Sequence, residues 1–233
     1  MVESSTPQVV PMNVSPHKPS YEVNTMNLKI GPLHRRLLAY YNEMHEAIAG
    51  DDFQTISELE EIVPALLEEF EATECKGAPS PGWIAGKMRG GWHVAKGDFE
   101  TALKFEFEGY QHAANEQPSA ENSRRISVSS SNIADQLWRL GRPADALSWA
   151  LRSVELWSSN TINHLVLGIV AYHAGIKAEA NKTFEHLRKV ARFHDEHDVL
   201  SKCMKFEREL HALVELPAVQ DLLKAMGADT EVN

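Results

Sequence analysis

Trp138-Arg139-Leu140-Gly141-Arg142-Pro143-Ala144-Asp145-Ala146-Leu147 is the stretch that decides the fold. Gly141 can take the left-handed backbone conformation that closes a helix. Pro143 suits the first turn of a new helix, because its missing N–H would have no partner there. Ala146 is small enough for two helices to approach closely. Continuing to Trp157, apolar residues recur three and four apart, as one face of a helix requires. The stretch therefore predicts a helix, a tight turn and a second helix.

The same device returns along the chain. Gly97 is followed five residues later by Ala102, Gly141 by Ala146, and Gly175 by Ala180. Leu37, Tyr40, Tyr41, Met44 and Ile48 form an apolar stripe that ends at Gly50-Asp51-Asp52. Another stripe runs from Phe53 to Phe70. Ser80-Pro81 reads as a helix start, with Cys75–Pro81 as a loop before it. No segment shows the sustained alternation of a strand. The expectation is an all-α chain of about ten helices over residues 31–227. Residues 1–30, crowded with proline and serine, read as an extended or disordered tail. Residues 228–233 read as a short second tail.

Gly141 and Gly175 are 34 residues apart. That period, with small residues at Ala134, Ala146, Ala171 and Ala180 and the Leu167-Gly168 pair, resembles the tetratricopeptide repeat (TPR). The units are Ser127–Asn160, Thr161 to about His194 and, more loosely, Trp83 to about Glu116. The last departs from the repeat pattern at Arg89 and Glu106, and the family's closing proline is absent, with Ser158 in its place. The resemblance implies antiparallel helix pairs stacked as a right-handed solenoid. It also implies a concave groove lined by the first helix of each unit. The groove positions are Lys87, Val128, Ser131, Asn132, Asp135, Trp138, Arg139, Leu165, Ile169, Tyr172 and His173, with Gly91, Val94 and Ile162 beside them. Such a groove suits a peptide or helix of a partner protein. One TPR subgroup grips a C-terminal carboxylate of chaperones. Lys87 and Asn132 fit two of its positions, but Gly91, Ile162 and Val166 fill the others and hold no carboxylate.

Composition narrows the function classes. The net charge of −10 argues against nucleic acid as a partner. No apolar run approaches the roughly 18 residues of a membrane span, and the start of the chain lacks the basic and apolar regions of a signal peptide. The two cysteines, Cys75 and Cys203, are far apart and outside any CxxC motif. Reduced thiols and a cytoplasmic location are the expectation.

Few motifs carry chemistry. Gly82-Trp83-Ile84-Ala85-Gly86-Lys87-Met88 imitates a phosphate loop, but it is one residue short. It also places Met88 where a hydroxyl is required. His194 and Asp198, in His194-Asp195-Glu196-His197-Asp198, are a weak alternative metal pair, although Asp195 and Glu196 suit a helix start. Arg124-Arg125-Ile126-Ser127 matches a basophilic kinase site, with Ser127 as the acceptor. No cofactor is implied. The favoured expectation is a non-catalytic scaffold or adaptor that binds another protein. A structural subunit, with possible homo-oligomerisation, and a metal-dependent enzyme on a helical-repeat fold are the alternatives.

Overall fold

The computed structural model describes residues 31–193, 200, 203 and 206–227. Ten α-helices lie among them, and no strand. They are α1 (Pro32–Ala49), α2 (Phe53–Phe70), α3 (Pro81–Ala95), α4 (Phe99–Ala114) and α5 (Ala120–Arg139). These are followed by α6 (Pro143–Leu156), α7 (Thr161–His173), α8 (Lys177–Phe193), α9 (Glu207–His211) and α10 (Pro217–Met226). A π-helical turn, Glu71–Cys75, prolongs α2, so the expected loop before Ser80 starts later than the sequence suggests. The next long helix, α5, begins at Ala120.

Local chemistry sets the boundaries. Pro32, Pro81, Pro143 and Pro217 each open a helix. Asp52 and Asp98 cap α2 and α4 by accepting from the backbone N–H of Thr55 and Thr101, both at 3.1 Å. Ser119 and Asn160 do the same for α5 and α7. Such caps satisfy amides that the first helical turn leaves without partners. Gly97, Gly141 and Gly175 close α3, α5 and α7 with φ of +74°, +74° and +83°. At the first turn, Asp51 takes the left-handed conformation instead, with φ of 54°.

Consecutive helices pack as antiparallel hairpins. His34 of α1 meets Phe70 of α2, with ring centroids 5.6 Å apart. In α3 and α4, Gly86 faces Gly109 while Gly90 faces Ala102 and Glu106. A Cβ on Gly86 would lie 2.7 Å from the Gly109 Cα, so two glycines let these backbones touch. This is the work of Gly86 in the stretch that imitates a phosphate loop, while Gly82 of the same stretch faces the His112 side chain. In α5 and α6, Ser127 reaches the Ser153 carbonyl at the end opposite the Gly141 turn. In α7 and α8, Gly168 rests against the ring of Phe184. Ala102, Ala146 and Ala180 are fully buried, as the five-residue spacing after each glycine anticipates.

The odd-numbered helices from α1 to α7 stand side by side and run the same way. The Tyr41 hydroxyl of α1 donates to the Met88 carbonyl of α3 at 2.7 Å, and His45 Nδ1 lies 3.1 Å from the Ala95 carbonyl. The Trp83 indole of α3 donates to Ser129 Oγ of α5. Ser127, inside α5, accepts from Asn163 near the start of α7, and the Trp138 ring meets that of His173 at the ends of the two helices. Two apolar cores result. One is built on α1–α4, around Leu37, Met44, Val63 and Trp83. The other is built on α5–α10, around Ile133, Leu165, Ile169, Phe184 and Leu213. Burying each large side chain of this kind stabilises by roughly 1.5–3 kcal/mol.

Candidate binding cleft

A cleft of about 110 Å³ opens on the layer of odd-numbered helices, where the two cores meet. Tyr41 of α1, Lys87 and Gly91 of α3, Val128 and Asp135 of α5 and Ile162 of α7 line its walls. Lys87, Val128, Ser131, Asn132 and Asp135, five of the expected groove residues, come together here, as do Gly91, Val94 and Ile162.

The floor is polar and buried. Lys87 and Glu106 form an ion pair at 2.9 Å, with side chains 8% and 2% exposed. Asn132 Nδ2 donates to the same oxygen, Glu106 Oε1, also at 2.9 Å. Lys87 and Asn132 are the two residues that match the carboxylate-gripping TPR subgroup. Here they are already engaged, by a carboxylate of the chain itself. Burial pushes the Glu106 carboxyl above its ordinary pKa, and the Lys87 ammonium opposes that shift. Glu106 Oε2 meets no protein donor. Ser131 Oγ and Gln136 Oε1, which also line the cleft, are likewise buried without a protein partner. Such atoms cost free energy unless solvent or a ligand pairs with them.

The other expected groove residues lie outside this cleft, with Trp138, Leu165 and Ile169 buried and Arg139, Tyr172 and His173 half-buried. Leu165 and Ile169 are 0% and 1% exposed and share a core with Leu210 and Leu213 near the end of the chain. Trp138 is 8% exposed, with the tilted His173 ring at 5.2 Å and the Arg139 guanidinium over it at 5.0 Å. Arg139 bonds Asp135 at 3.0 Å and Glu209 of α9 at 3.1 Å. The Tyr172 hydroxyl donates to Glu215 at 2.6 Å, and Lys177 reaches Glu215 at 2.5 Å. That bond holds the Tyr172 phenol above its usual pKa, while Lys177 leads in holding Glu215 below its own. Burial lowers the His173 imidazole. The segment around α9 and α10 thus covers the far end of α5 and α7. The apolar periodicity of α5 and α7 gives no sign of that reach.

Ser127 is misplaced as a kinase acceptor. It lies well inside α5 rather than at a helix start, and it is fully buried. Its hydroxyl donates to the Ser153 carbonyl at 2.7 Å and accepts from Asn163 Nδ2 at 2.8 Å. The flanking arginines are engaged as well. Arg125 pairs with Glu116 at 2.8 Å, and Arg124 lies over the Trp157 ring at 5.4 Å. A phosphate at Ser127 has no room until α5, α6 and α7 separate.

His194 and Asp198 lie outside the described residues. Among the described residues no group of three or more His, Cys, Asp or Glu side chains is arranged to hold a metal. Cys75 and Cys203 are both buried, and burial pushes the Cys203 thiol up to about 12. No described helix is long and apolar enough to cross a membrane.

Glu106, Gln136 and Trp83 belong to the cleft but are absent from the sequence-based groove set. For Glu106 a signal existed: it occupies a position where the repeat pattern expects an apolar residue. Arg89, the other departure, makes a bidentate pair with Glu71 at 2.6 and 2.8 Å. No family model, curated protein or solved structure matches this chain.

Proposed function

We propose that this chain is a non-catalytic interaction scaffold, a TPR-like right-handed array of helical hairpins that takes a segment of a partner protein in its inner-face cleft. The observation that carries this reading is the cleft itself. It sits on the layer of first helices, where the resemblance places a groove, and it gathers side chains from four successive hairpins. Lateral hydrogen bonds from Tyr41, Trp83 and Asn163 tie that layer together, which suits a preformed surface. Preorganisation of this kind reduces the entropy lost on binding. The bound segment lies against α1, α3, the middle of α5 and the start of α7, the elements that line the cleft.

The reading is tested by panning a displayed peptide library against the protein and against Val128→Trp, which plugs the cleft from a half-buried wall position. Peptides that bind the wild type and not the plugged variant, with helicity equal by circular dichroism, are expected. Enriched peptides that bind both proteins equally would overturn the assignment to the cleft.

A further inference from the structure

We infer that the cleft is a receptor for a guanidinium group: it selects an arginine side chain presented by the partner segment. This rests on the cleft being the partner-binding surface and specifies what that surface recognises.

The first argument is the inventory of unpaired atoms. The residues of the floor that lack a protein partner for one atom are Glu106, Ser131 and Gln136, exposed by 1%, 2% and 2%. Two of the atoms, Glu106 Oε2 and Gln136 Oε1, only accept hydrogen bonds when the carboxylate is ionised, and Ser131 Oγ can do so. An occupant that pairs with any of them must be a hydrogen-bond donor, not an acceptor-only group. Guanidinium carries five N–H donors in a fixed plane and no acceptor.

The second argument is charge. Lys87 and Asn132 direct their donors at Glu106 Oε1, so the site's strong donors are already used. An incoming carboxylate would meet Glu106 and Asp135 with no free cation to hold it, since Arg139 is bound to Asp135 and Glu209. The cleft therefore has the opposite preference from the chaperone-tail sites that Lys87 and Asn132 resemble. Within the group Lys87, Glu106, Asp135, Arg139 and Glu209 there are two cations and three carboxylates, leaving a deficit of one positive charge.

The third argument is size. About 110 Å³ is well below the roughly 300–1,000 Å³ of cofactor and drug-sized sites. It is a volume for one side chain. The apolar wall of Tyr41, Val128 and Ile162 suits the methylene stem of that side chain, which long cationic residues commonly bury.

The test uses four capped peptides, alike except for a central arginine, lysine, citrulline or glutamate, together with N-acetyl-arginine amide as the free form. Binding to the full chain is read from NMR shifts of the Asn132 and Gln136 side-chain amides and the Trp83 indole. The arginine peptide is expected to bind and to move these signals. Citrulline has nearly the same shape without the charge and should bind at least about ten-fold more weakly, as losing a charge-assisted bond implies. Glu106→Gln should weaken the arginine peptide by a similar factor while keeping an acceptor for Lys87. Asp135→Asn at the half-buried wall gives a second reading of the same loss, independent of the folding of Glu106→Gln. Lys87→Met removes the competing cation and should tighten arginine binding by about ten-fold or more, which a purely structural role for Lys87 would not produce. Equal binding of the arginine and citrulline peptides, or preference for the glutamate peptide at the same signals, overturns the guanidinium assignment and leaves the cleft as a binding surface. Equal binding of lysine and arginine overturns the guanidinium in favour of any cation. Shifts confined to other surfaces overturn both the inference and the reading on which it rests.

Discussion

Lys87 donates to Glu106 at 2.9 Å across the α3–α4 seam, and the second oxygen of that carboxylate is left without a protein donor. Breaking such a pair from one side strands a buried charge. Lys87→Met alone is expected to lower stability by about 3–5 kcal/mol. Lys87→Met combined with Glu106→Leu should recover most of that loss, because an apolar pair of similar volume needs no desolvated charge. Urea titrations of the two single variants and the double variant check the cycle, and additive effects would contradict the coupling.

Gly86 and Gly97 predict different responses to the same change. A Cβ at Gly86 collides with the Gly109 backbone, at 2.7 Å from its Cα and 2.8 Å from its amide nitrogen. Gly86→Ala should therefore push α3 from α4 and cost about 1–3 kcal/mol, as overpacking does. At Gly97 nothing lies within 4 Å, but φ is +74°. There Ala should cost only the left-handed backbone penalty of about 1–2 kcal/mol, with the helix seam undisturbed. Chemical denaturation gives the two costs. Amide shifts of Gly109 should move in the first variant only.

Ser127 is expected to be a poor kinase substrate in the folded chain. A basophilic kinase should incorporate phosphate into denatured protein or a peptide spanning Arg124–Ser127, and not into the native form. Ser127→Asp should destabilise strongly, since it places a charge beside the Ser153 carbonyl in a buried site. Stoichiometric phosphorylation of native protein at Ser127 would show that α5 and α7 open readily.

His34, His164 and His173 all have imidazole pKa values lowered, with burial the leading cause at each. The folded state thus favours their neutral forms. Below the ordinary imidazole value near 6.5 the unfolded chain binds more protons than the folded one, so stability falls as pH falls through that region. The thermal midpoint should drop between pH 7 and pH 5.5, and replacing His173 with Gln should reduce the drop. A midpoint that rises on acidification would contradict the assignment.

Trp138→Ala follows from burial rather than from exposure to a partner. The ring is packed between Arg139 and His173 and belongs to the second core. Its removal should cost about 3–5 kcal/mol and should leave peptide binding at the cleft largely unchanged. Denaturant midpoints and peptide affinity, measured on the same variant, separate these effects.

Helix positions were readable in the sequence because their causes are local. Turn glycines with φ near +75°, capping Asp52 and Asp98, and Pro143 act within a few residues of where they stand. Even the departures at Arg89 and Glu106 were visible as polar residues at apolar positions. Their use was not, because Glu71 and Lys87 reach them across 18 and 19 residues. The fate of Trp138, Leu165 and Ile169 depended on longer range still. Arg139 meets Glu209 at a separation of 70, and periodicity along α5 carries no trace of α9. Residues on the inner face of a helix look alike in sequence whether that face meets solvent, a partner or a later part of the same chain.

The cleft draws its walls from two separate cores, Tyr41, Trp83 and Met88 on one side and Ile162 on the other. Because the hairpins pack chiefly against their sequence neighbours, the two cores are expected to melt in part independently, joined through α4 and α5. An occupant that touches both walls binds only when both are formed. Its binding energy then enters the unfolding equilibrium of the two halves jointly. Loading the site should convert two partly independent melting events into one sharper transition, so the ligand would govern the cooperativity of the whole chain.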